Sequence, residues 1–410
     1  MQIAYLVTSF PALSATFILN QITGLVARGH DVHIYGDRPG DTENISDEVH
    51  RLKLLDVTTA PPMPSTAVAR LACSPLPFAR LMMRRPGIAL RSLRASMYGG
   101  QAKNLNLLYC ADSIKSPQTY DAIHAHFGPN GVRGTFLRDV GLLNGPLLTT
   151  FHGYDMTRTV RGAGRNAYEH LFATGDRFLP ISEHWLERLL DLGAPASRTI
   201  VHHMGIDPTQ FTYTPRLRDD TSPTKILSIA RLVDKKGIEY AIRAIARTES
   251  PIQYRVAGDG PLRAELEALI DACNVRDRVE ILGWKSNAEI RALLDESHLL
   301  LAPSVTAADG DKEGIPVVLM EAMAMGIPVI STVHSGIPEL VDHNVSGLLV
   351  EERNVESLAE AIESLCRTPD VWASMGRAGA DVVEANFNID RLNDDLVKHF
   401  EAASNRHSDD

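Results

Sequence analysis

Short apolar runs alternate with amphipathic helical stretches along the chain, and the alternation starts twice. The first series has extended runs at residues 2–7, 31–35, 122–127, 147–152, 177–181 and 199–203, with a helical pattern at 16–28 closed by Gly29. Residues 208–224 break the rhythm with Pro208, Pro215 and Pro223 among Thr and Asp residues. The second series places extended runs at 225–230, 252–257, 279–282, 299–302 and 328–331, with helical stretches between them. A strand that returns through a helix each time lies parallel to its neighbour, and a parallel sheet needs helices on both faces. The expected fold is α/β: two Rossmann-like doubly wound domains facing across a cleft. Residues 1–207 form the first domain, 208–224 the linker and 225–385 the second domain. Residues 386–410 read as a helix crossing back to the first domain, followed by a tail. At 410 residues the chain has room for two such cores.

No run of about 18 apolar residues offers a membrane span. Residues 1–5 enter a strand-like run without the basic start and cleavage site of a secretory signal, so the expected location is cytoplasmic. Cys73, Cys110, Cys273 and Cys366 lie far apart with no Cys-x-x-Cys pair and read as reduced thiols. The net charge of −10 hides an asymmetry. Between Asp56 and Asp112 there is no acidic residue, while Arg70, Arg80, Arg84, Arg85, Arg91, Arg94 and Lys103 are basic; the rest of the chain holds 34 basic against 51 acidic side chains, or −17. With Leu71, Leu76, Met83 and Leu90 interleaved, residues 64–111 read as a basic amphipathic insertion suited to an anionic membrane surface, peripheral on the inner face of the cell membrane. The alternative is a helical insertion whose arginines are solvated or bind phosphate. No nucleic-acid partner is expected.

In open α/β sheets ligands bind outside the carboxyl ends of the strands. Arg231 and Lys236 follow the run at 225–230, ahead of a helix, where a guanidinium, an ammonium and helix amides suit two adjacent phosphates. Gly258 and Gly260 follow the next run and permit close backbone approach, either of a ligand or within a tight turn. The most specific stretch runs from Asp311 to Pro328. Glu313 falls in an irregular loop and Glu321 in an apolar helix at 317–325; eight residues span about 12 Å along a helix, so the two carboxylates address different parts of one extended ligand. A carboxylate inside an apolar helix needs donors, and hydroxyls would supply them.

In the first half, hydroxyl groups at Ser14 and Thr16 stand where a helix begins and suit either capping or a phosphate contact. His152, with Asp155 shortly after, ends the run at 147–152, and His124 and His126 end the run at 122–127. A histidine at the carboxyl end of a strand is well placed for chemistry. Three histidines without an accompanying carboxylate cluster or Asp-x-Asp motif do not predict a metal.

Glu313-x7-Glu321, within Glu-Gly-Ile-Pro-Val-Val-Leu-Met-Glu-Ala-Met-Ala-Met-Gly-Ile-Pro, resembles the signature of the family 4 retaining glycosyltransferases, which have the glycosyltransferase-B fold. The similarity extends to Arg231, Lys236, Gly258-Asp259-Gly260-Pro261 and Gly283-Trp284. Ser9-Phe10-Pro11 with Ser14-Ala15-Thr16-Phe17 is similar to the start of the bacterial exopolysaccharide, or colanic-acid-type, transferases of that family. The resemblance implies that Arg231 and Lys236 hold the donor diphosphate and stabilise the departing nucleotide. It implies that Glu313 binds sugar hydroxyls beside the amides of Gly314 and Ile315, that Glu321 binds the ribose, and that Gly283 and Trp284 border the base. His152 would lie beside the reacting sugar, with Ser14, Thr16, His124, His126 and Asp155 on the acceptor or sugar side.

The implied reaction is hexose transfer with retention from a UDP- or GDP-sugar to a saccharide or lipid-linked saccharide, in surface polysaccharide or glycoconjugate synthesis. Arg231, Lys236, His152 and Glu313 are its expected catalytic residues, and no metal or further cofactor is expected. Three other readings stand beside it: a nucleotide-sugar isomerase or epimerase on the same fold, transfer to a small-molecule acceptor, and a non-catalytic sugar-nucleotide sensor.

Overall fold

A computed structural model of the chain describes residues 1–12, 16–40, 47–217 and 222–409. It divides into two compact units, Met1–His202 with Ile389–Asp410, and His203–Asn388.

The first unit contains β1 (Gln2–Phe10), β2 (Asp31–Pro39), β3 (Thr58–Thr59), β4 (Gln118–Thr119), β5 (Ala122–His126), β6 (Leu143–Asn144), β7 (Leu147–Phe151) and β8 (Arg177–Pro180). Six of these form a parallel sheet in the order β3-β2-β1-β5-β7-β8, and β4 pairs with β6 apart from it. Every residue of β5 and β7 is buried, as expected of central parallel strands covered on both faces. One face packs Ile3, Tyr5, Val7 and Ile34 against Ile18, Ile22 and Leu25 of the helix Thr16–Ala27 and against Leu396 and Phe400 of the terminal helix Ile389–Asp409. Arg28 ties these two helices together, reaching Asp394 at 2.7 Å and Asp390 at 3.2 Å.

In the second unit, β9 (Thr224–Ile229), β10 (Ile252–Ala257), β11 (Val279–Gly283), β12 (Leu299–Ala302), β13 (Val329–Thr332) and β14 (Gly347–Val350) lie in the order β11-β10-β9-β12-β13-β14, all parallel. Each sheet therefore winds outward from its first strand to one edge, then crosses and winds outward to the other. One core of this unit gathers Ile242, Tyr254, Leu266, Ile362 and Trp372; the other gathers Leu227, Leu319, Met320, Met323, Val383 and Phe387.

Two expectations need correction. Residues 199–203 form no strand: after a single bridge from Thr199 to Phe178 and backbone bonds from Ile200 and His202 to Phe178 and Pro180 of β8, the chain leaves the sheet. Residues 208–217, expected as part of a linker, pack onto the second unit. Thr214 N–H donates to the Met325 carbonyl at 3.2 Å, Arg216 Nη1 donates to the Asp295 carbonyl at 2.6 Å, and the Arg377 guanidinium lies 3.7 Å from the Tyr213 ring centre. Prolines bar a regular element there without barring packing. Residues 218–221, the rest of that break, lie outside the described residues.

The acid-free insertion folds as the helices Ala67–Cys73, Pro75–Arg84, Pro86–Arg91, Ala95–Lys103 and Asn106–Ser113. Four of its basic side chains brace the chain itself. Arg70 donates to Asn106 Oδ1 at 2.6 Å, Arg80 pairs with Asp112 at 2.5 Å, Arg85 donates to the Lys115 carbonyl and Arg91 to that of Asp139. The side chains of Arg84, Arg94 and Lys103 are exposed, with no hydrogen bond or ion pair among the described residues. Between them Val68, Leu71, Leu76, Met83, Leu90, Leu93 and Met97 face solvent, Val68 at 80% and Met83 at 79% exposure. No helix among the described residues is long and apolar enough to cross a membrane.

Candidate functional site

The carboxyl end of β9 leads past Arg231 into the short 3-10 turn Asp234–Lys236 and then Gly237, whose φ is 63°. A Cβ added at Gly237 would come within 1.9 Å of the Pro303 carbonyl oxygen, so only glycine lets this turn press against the loop that follows β12. That approach brings two lysines onto the loop. Lys236 Nζ donates to Glu313 Oε2 at 2.8 Å, and Lys235 Nζ lies 3.1 Å from Glu313 Oε1 and 3.2 Å from Asp311 Oδ2. Burial alone would raise the Glu313 pKa, but Lys236 and Lys235 outweigh it and hold the carboxyl down at about 2. Lys236 and Glu313, expected to grip different parts of a ligand, neutralise one another here. Lys235 was not anticipated; adjacent lysines ahead of Gly237 were the available signal.

The carboxylate of Glu321, on the helix Val317–Ala324, makes no hydrogen bond or ion pair among the described residues. Burial pushes its pKa up against the opposing pull of Arg291. Ahead of the helix, the N–H groups of Gly314 and Ile315 donate to no acceptor among the described residues. The Arg231 side chain is exposed and likewise unpaired among the described residues. The close approach at Gly258 and Gly260 is of the chain to itself: an added Cβ would meet the carbonyl oxygens of Ala230 at 1.9 Å and Leu232 at 2.5 Å. Gly258 N–H also donates to the Gly283 carbonyl at 2.9 Å, and Trp284 beyond it is 76% exposed.

A second set of residues supports the loop. His334 Nε2 accepts the Glu313 peptide N–H at 3.0 Å, and His334 Nδ1 contacts Glu352 Oε1 at 2.6 Å. His334 stands just past β13, so it meets the same strand-end criterion that singled out His152.

In the first unit a buried ion pair of Arg133 with Asp37 closes the ends of β1 and β2, while the ends of β5 and β7 carry a relay of neutral side chains. The His152 ring lies between those of Phe17 and Phe127, at centroid distances of 5.0 and 4.3 Å. Phe127 reaches its position with a φ of 73°, rare for a residue with a side chain. His152 Nε2 is 3.0 Å from His126 Nδ1, His126 Nε2 is 3.0 Å from Gln21 Oε1, and the Tyr5 hydroxyl donates to the same oxygen at 2.9 Å. Gln21 Oε1 can only accept, so His126 carries its proton on Nε2 and accepts from His152 Nε2–H. This leaves the His152 Nδ1 lone pair outside the chain of bonds. Burial, with a smaller contribution from His124, lowers the His152 pKa to about 3, so its ring is neutral.

Asp155 is fully buried and accepts from the N–H groups of Gly153 at 2.8 Å, Gly128 at 3.0 Å and His152 at 3.1 Å. It braces the His152 turn against the end of β5 and presents no face to an acceptor. Burial raises its pKa to about 6 against those three donors. His124 also moves from candidate site to core. Its ring is wholly enclosed, bonded to the Thr150 hydroxyl at 2.8 Å and packed on Phe400 at 5.4 Å. Thr16 is exposed in the first turn of its helix, and Ser14 lies outside the described residues. No group of three or more His, Cys, Asp or Glu side chains among the described residues is arranged to hold a metal ion.

Residues 14–210 match the family model for Glycosyltransferase Family 4, and residues 210–382 match that for Glycosyl transferases group 1. The chain is 37% identical over 408 residues to the Escherichia coli (strain K12) protein WcaL, named for a glycosyltransferase of colanic acid biosynthesis, covering 98% of this chain and 100% of that one. It is 38% identical over 395 residues to the amylovoran biosynthesis glycosyltransferase AmsK of Erwinia amylovora, covering 95% and 96%. Among solved structures, Anabaena Alr3699/HepE in complex with UDP superposes with a TM-score of 0.71 at 17% identity, covering 98% of this chain and 100% of that one. Sucrose-phosphate synthase from Thermosynechococcus elongatus gives 0.69 at 20% identity, covering 98% of each. The structural likeness shows the shared glycosyltransferase-B fold, and the full-length identity shows descent: the chain is a glycosyltransferase and belongs to glycosyltransferase family 4.

Proposed function

We propose that this glycosyltransferase moves a hexose, with retention at the anomeric carbon, from a UDP- or GDP-sugar to a saccharide or lipid-linked saccharide acceptor in surface polysaccharide assembly. The observation that carries the reading is the contact between Lys236 and Glu313, 77 positions apart in the chain, on a loop whose Gly314 and Ile315 amides stay unpaired. A diphosphate competes with Glu313 for Lys236 and draws in Arg231. Glu313, once released, takes two sugar hydroxyls, while Glu321 accepts the ribose hydroxyls and Trp284 borders the base. As the bond to the leaving phosphate breaks, the developing charge meets these two cations, which lowers the barrier without calling on a metal. The acceptor hydroxyl attacks from the same face through an oxocarbenium-like state and gives its proton to the departing phosphate. His152 Nδ1, a free acceptor beside two aromatic rings, holds a sugar hydroxyl. The names of WcaL and AmsK support the polysaccharide assignment, and the complexes of Alr3699/HepE with UDP and with UDP-glucose support the donor class.

The test is incubation with UDP- and GDP-hexoses and a lipid-linked saccharide extract, with product configuration read by NMR. The new bond should keep the anomeric configuration of the donor, and EDTA should leave the rate unchanged. An inverted product or an EDTA-sensitive rate removes the corresponding part of the reading. Conversion of the nucleotide-sugar itself with no acceptor present replaces it with the isomerase.

Contact with the inner face of the membrane belongs to the same proposal, through the exposed apolar side chains of residues 68–97 flanked by the unpaired Arg84, Arg94 and Lys103. Phosphatidylglycerol vesicles should bind the protein in a salt-sensitive way. Phosphatidylcholine vesicles should not, and Arg84→Glu with Arg94→Glu should release it. Indifference to both salt and the double variant leaves the insertion without a membrane role.

A further inference from the structure

The loop bearing Glu313 is held at two points by one carboxylate. Glu352, just past β14, accepts the Thr306 N–H on Oε2 at 2.7 Å and the Thr306 hydroxyl on Oε1 at 3.1 Å, which fixes the early part of the loop. The same Oε1 lies 2.6 Å from His334 Nδ1, and His334 Nε2 takes the Glu313 peptide N–H at 3.0 Å. A peptide N–H can only donate, so Nε2 keeps its lone pair and Nδ1 carries the proton given to Glu352. The His334 side chain has no exposed surface, and both of its nitrogens are committed. Fully enclosed, it sets where the Glu313 peptide sits without touching a ligand.

We propose that His334, oriented by Glu352, is a positioning residue for the donor sugar: it fixes the Glu313 peptide so that the carboxylate meets Lys235 and Lys236, and hence the sugar hydroxyls assigned to it. This inference rests on the donor role proposed for Glu313. The charged groups around the ring are Glu352 from the end of β14 and Glu313 and Lys312 from the loop; burial and Lys312 oppose protonation, while the two carboxylates favour it. A second proton would set an Nε2–H against the Glu313 N–H and break the hold.

Two variants separate positioning from bulk. His334→Leu removes the acceptor; His334→Gln keeps an acceptor at similar reach and cannot protonate. Deuterium exchange at the Glu313 amide, read on the protein alone, should speed at least about tenfold in His334→Leu and return to within about threefold of wild type in His334→Gln. With UDP- and GDP-hexoses, His334→Leu should lower kcat at least about tenfold while KM changes less. His334→Gln should recover kcat at pH 8 and lose the acid-side fall that His334 protonation causes in wild type. Unchanged exchange in His334→Leu overturns the hold whatever the activity, and faster exchange with unchanged kcat overturns its role in catalysis. Wild-type protein inactive on every nucleotide-sugar would instead count against the donor role of Glu313, with the exchange result still deciding the hold.

Discussion

The two units wind their sheets in the same order, yet β5 and β7 of the first end in a neutral relay where the strand-end loops of the second carry a charged cluster. In the second unit Lys235, Lys236, Asp311 and Glu313 form a contiguous charged cluster. In the first unit Tyr5, Gln21, His126 and His152 form a chain of neutral hydrogen bonds walled by Phe17 and Phe127. A buried charge is tolerated when an opposite charge lies within hydrogen-bond reach, and Glu313 has two such neighbours. Burial without counter-charge instead strips the proton from an imidazole, and His152 follows that course. One topology thus supports a site for an anionic ligand and a site for an uncharged hydroxyl, because the specificity lies in side chains placed on the strand ends.

The charged half breaks most completely at its hub. Glu313→Ala removes the proposed sugar contact and leaves Lys236 without its partner, and turnover with a nucleotide-sugar should fall by about 100-fold or more. A loss below about tenfold would mean that the sugar is held elsewhere. Lys236→Ala should cost less, about tenfold or more, since Arg231 and Lys235 remain. Steady-state rates with saturating donor distinguish the two. Unchanged turnover in Lys236→Ala would reduce the ion pair to a structural contact.

Glu321 tests whether the charged unit is built for its ligand or for itself. Its carboxylate is half-buried and unpaired, and burial already disfavours its charge. Glu321→Gln should therefore leave the melting temperature unchanged or slightly raised. The affinity for UDP or GDP should drop by about tenfold, as charge-assisted bonds to hydroxyls are lost. Calorimetric titration reads the affinity; a destabilised protein with normal nucleotide affinity would show that Glu321 serves the fold.

Much of the fold was legible because strands leave a periodic apolar signature, continuous in Leu299–Ala302 and alternating with Gln253 and Arg255 in Ile252–Ala257, both found where expected. Thr58–Thr59 was missed, being too short to stand out from neighbouring loops, and Gly347–Val350 was missed because it opens on a glycine directly behind a polar turn. The donor stretch was legible because Glu313 and Glu321 sit in one local pattern. Its pairing with Lys235 and Lys236 was not, since it depends on a close approach at Gly237 that only three-dimensional packing shows. The arginines of the insertion teach the same point. Arg84 and Arg91 are alike in charge and both exposed, yet Arg91 donates to the Asp139 carbonyl while Arg84 makes no bond among the described residues; only the helix packing separates them. His124 and His126 look equivalent in sequence, yet one binds Thr150 in the core and the other supports His152.

The smallest expected effect contrasts the units by pH. Glu313 has a folded pKa near 2, below its ordinary value, so its contribution to stability is complete above about pH 4.5 and is lost as pH falls through 2. His152 has a folded pKa near 3, also below its ordinary value, so the direction is the same but the window lies higher. Between about pH 6.5 and 3 the unfolded chain holds a proton there that the folded chain does not, so stability declines as pH falls across that window. His124 and His126, both lowered by burial, act in the same direction. Acid should thus weaken the neutral relay before it reaches the charged cluster. His152→Asn should make the dependence of denaturation midpoint on pH between 6 and 4 shallower by about one proton, whereas Glu313→Gln should alter it only below about 4.5. An unchanged slope in His152→Asn would mean that the ring protonates freely in the folded protein, and the neutral half of the comparison would fail.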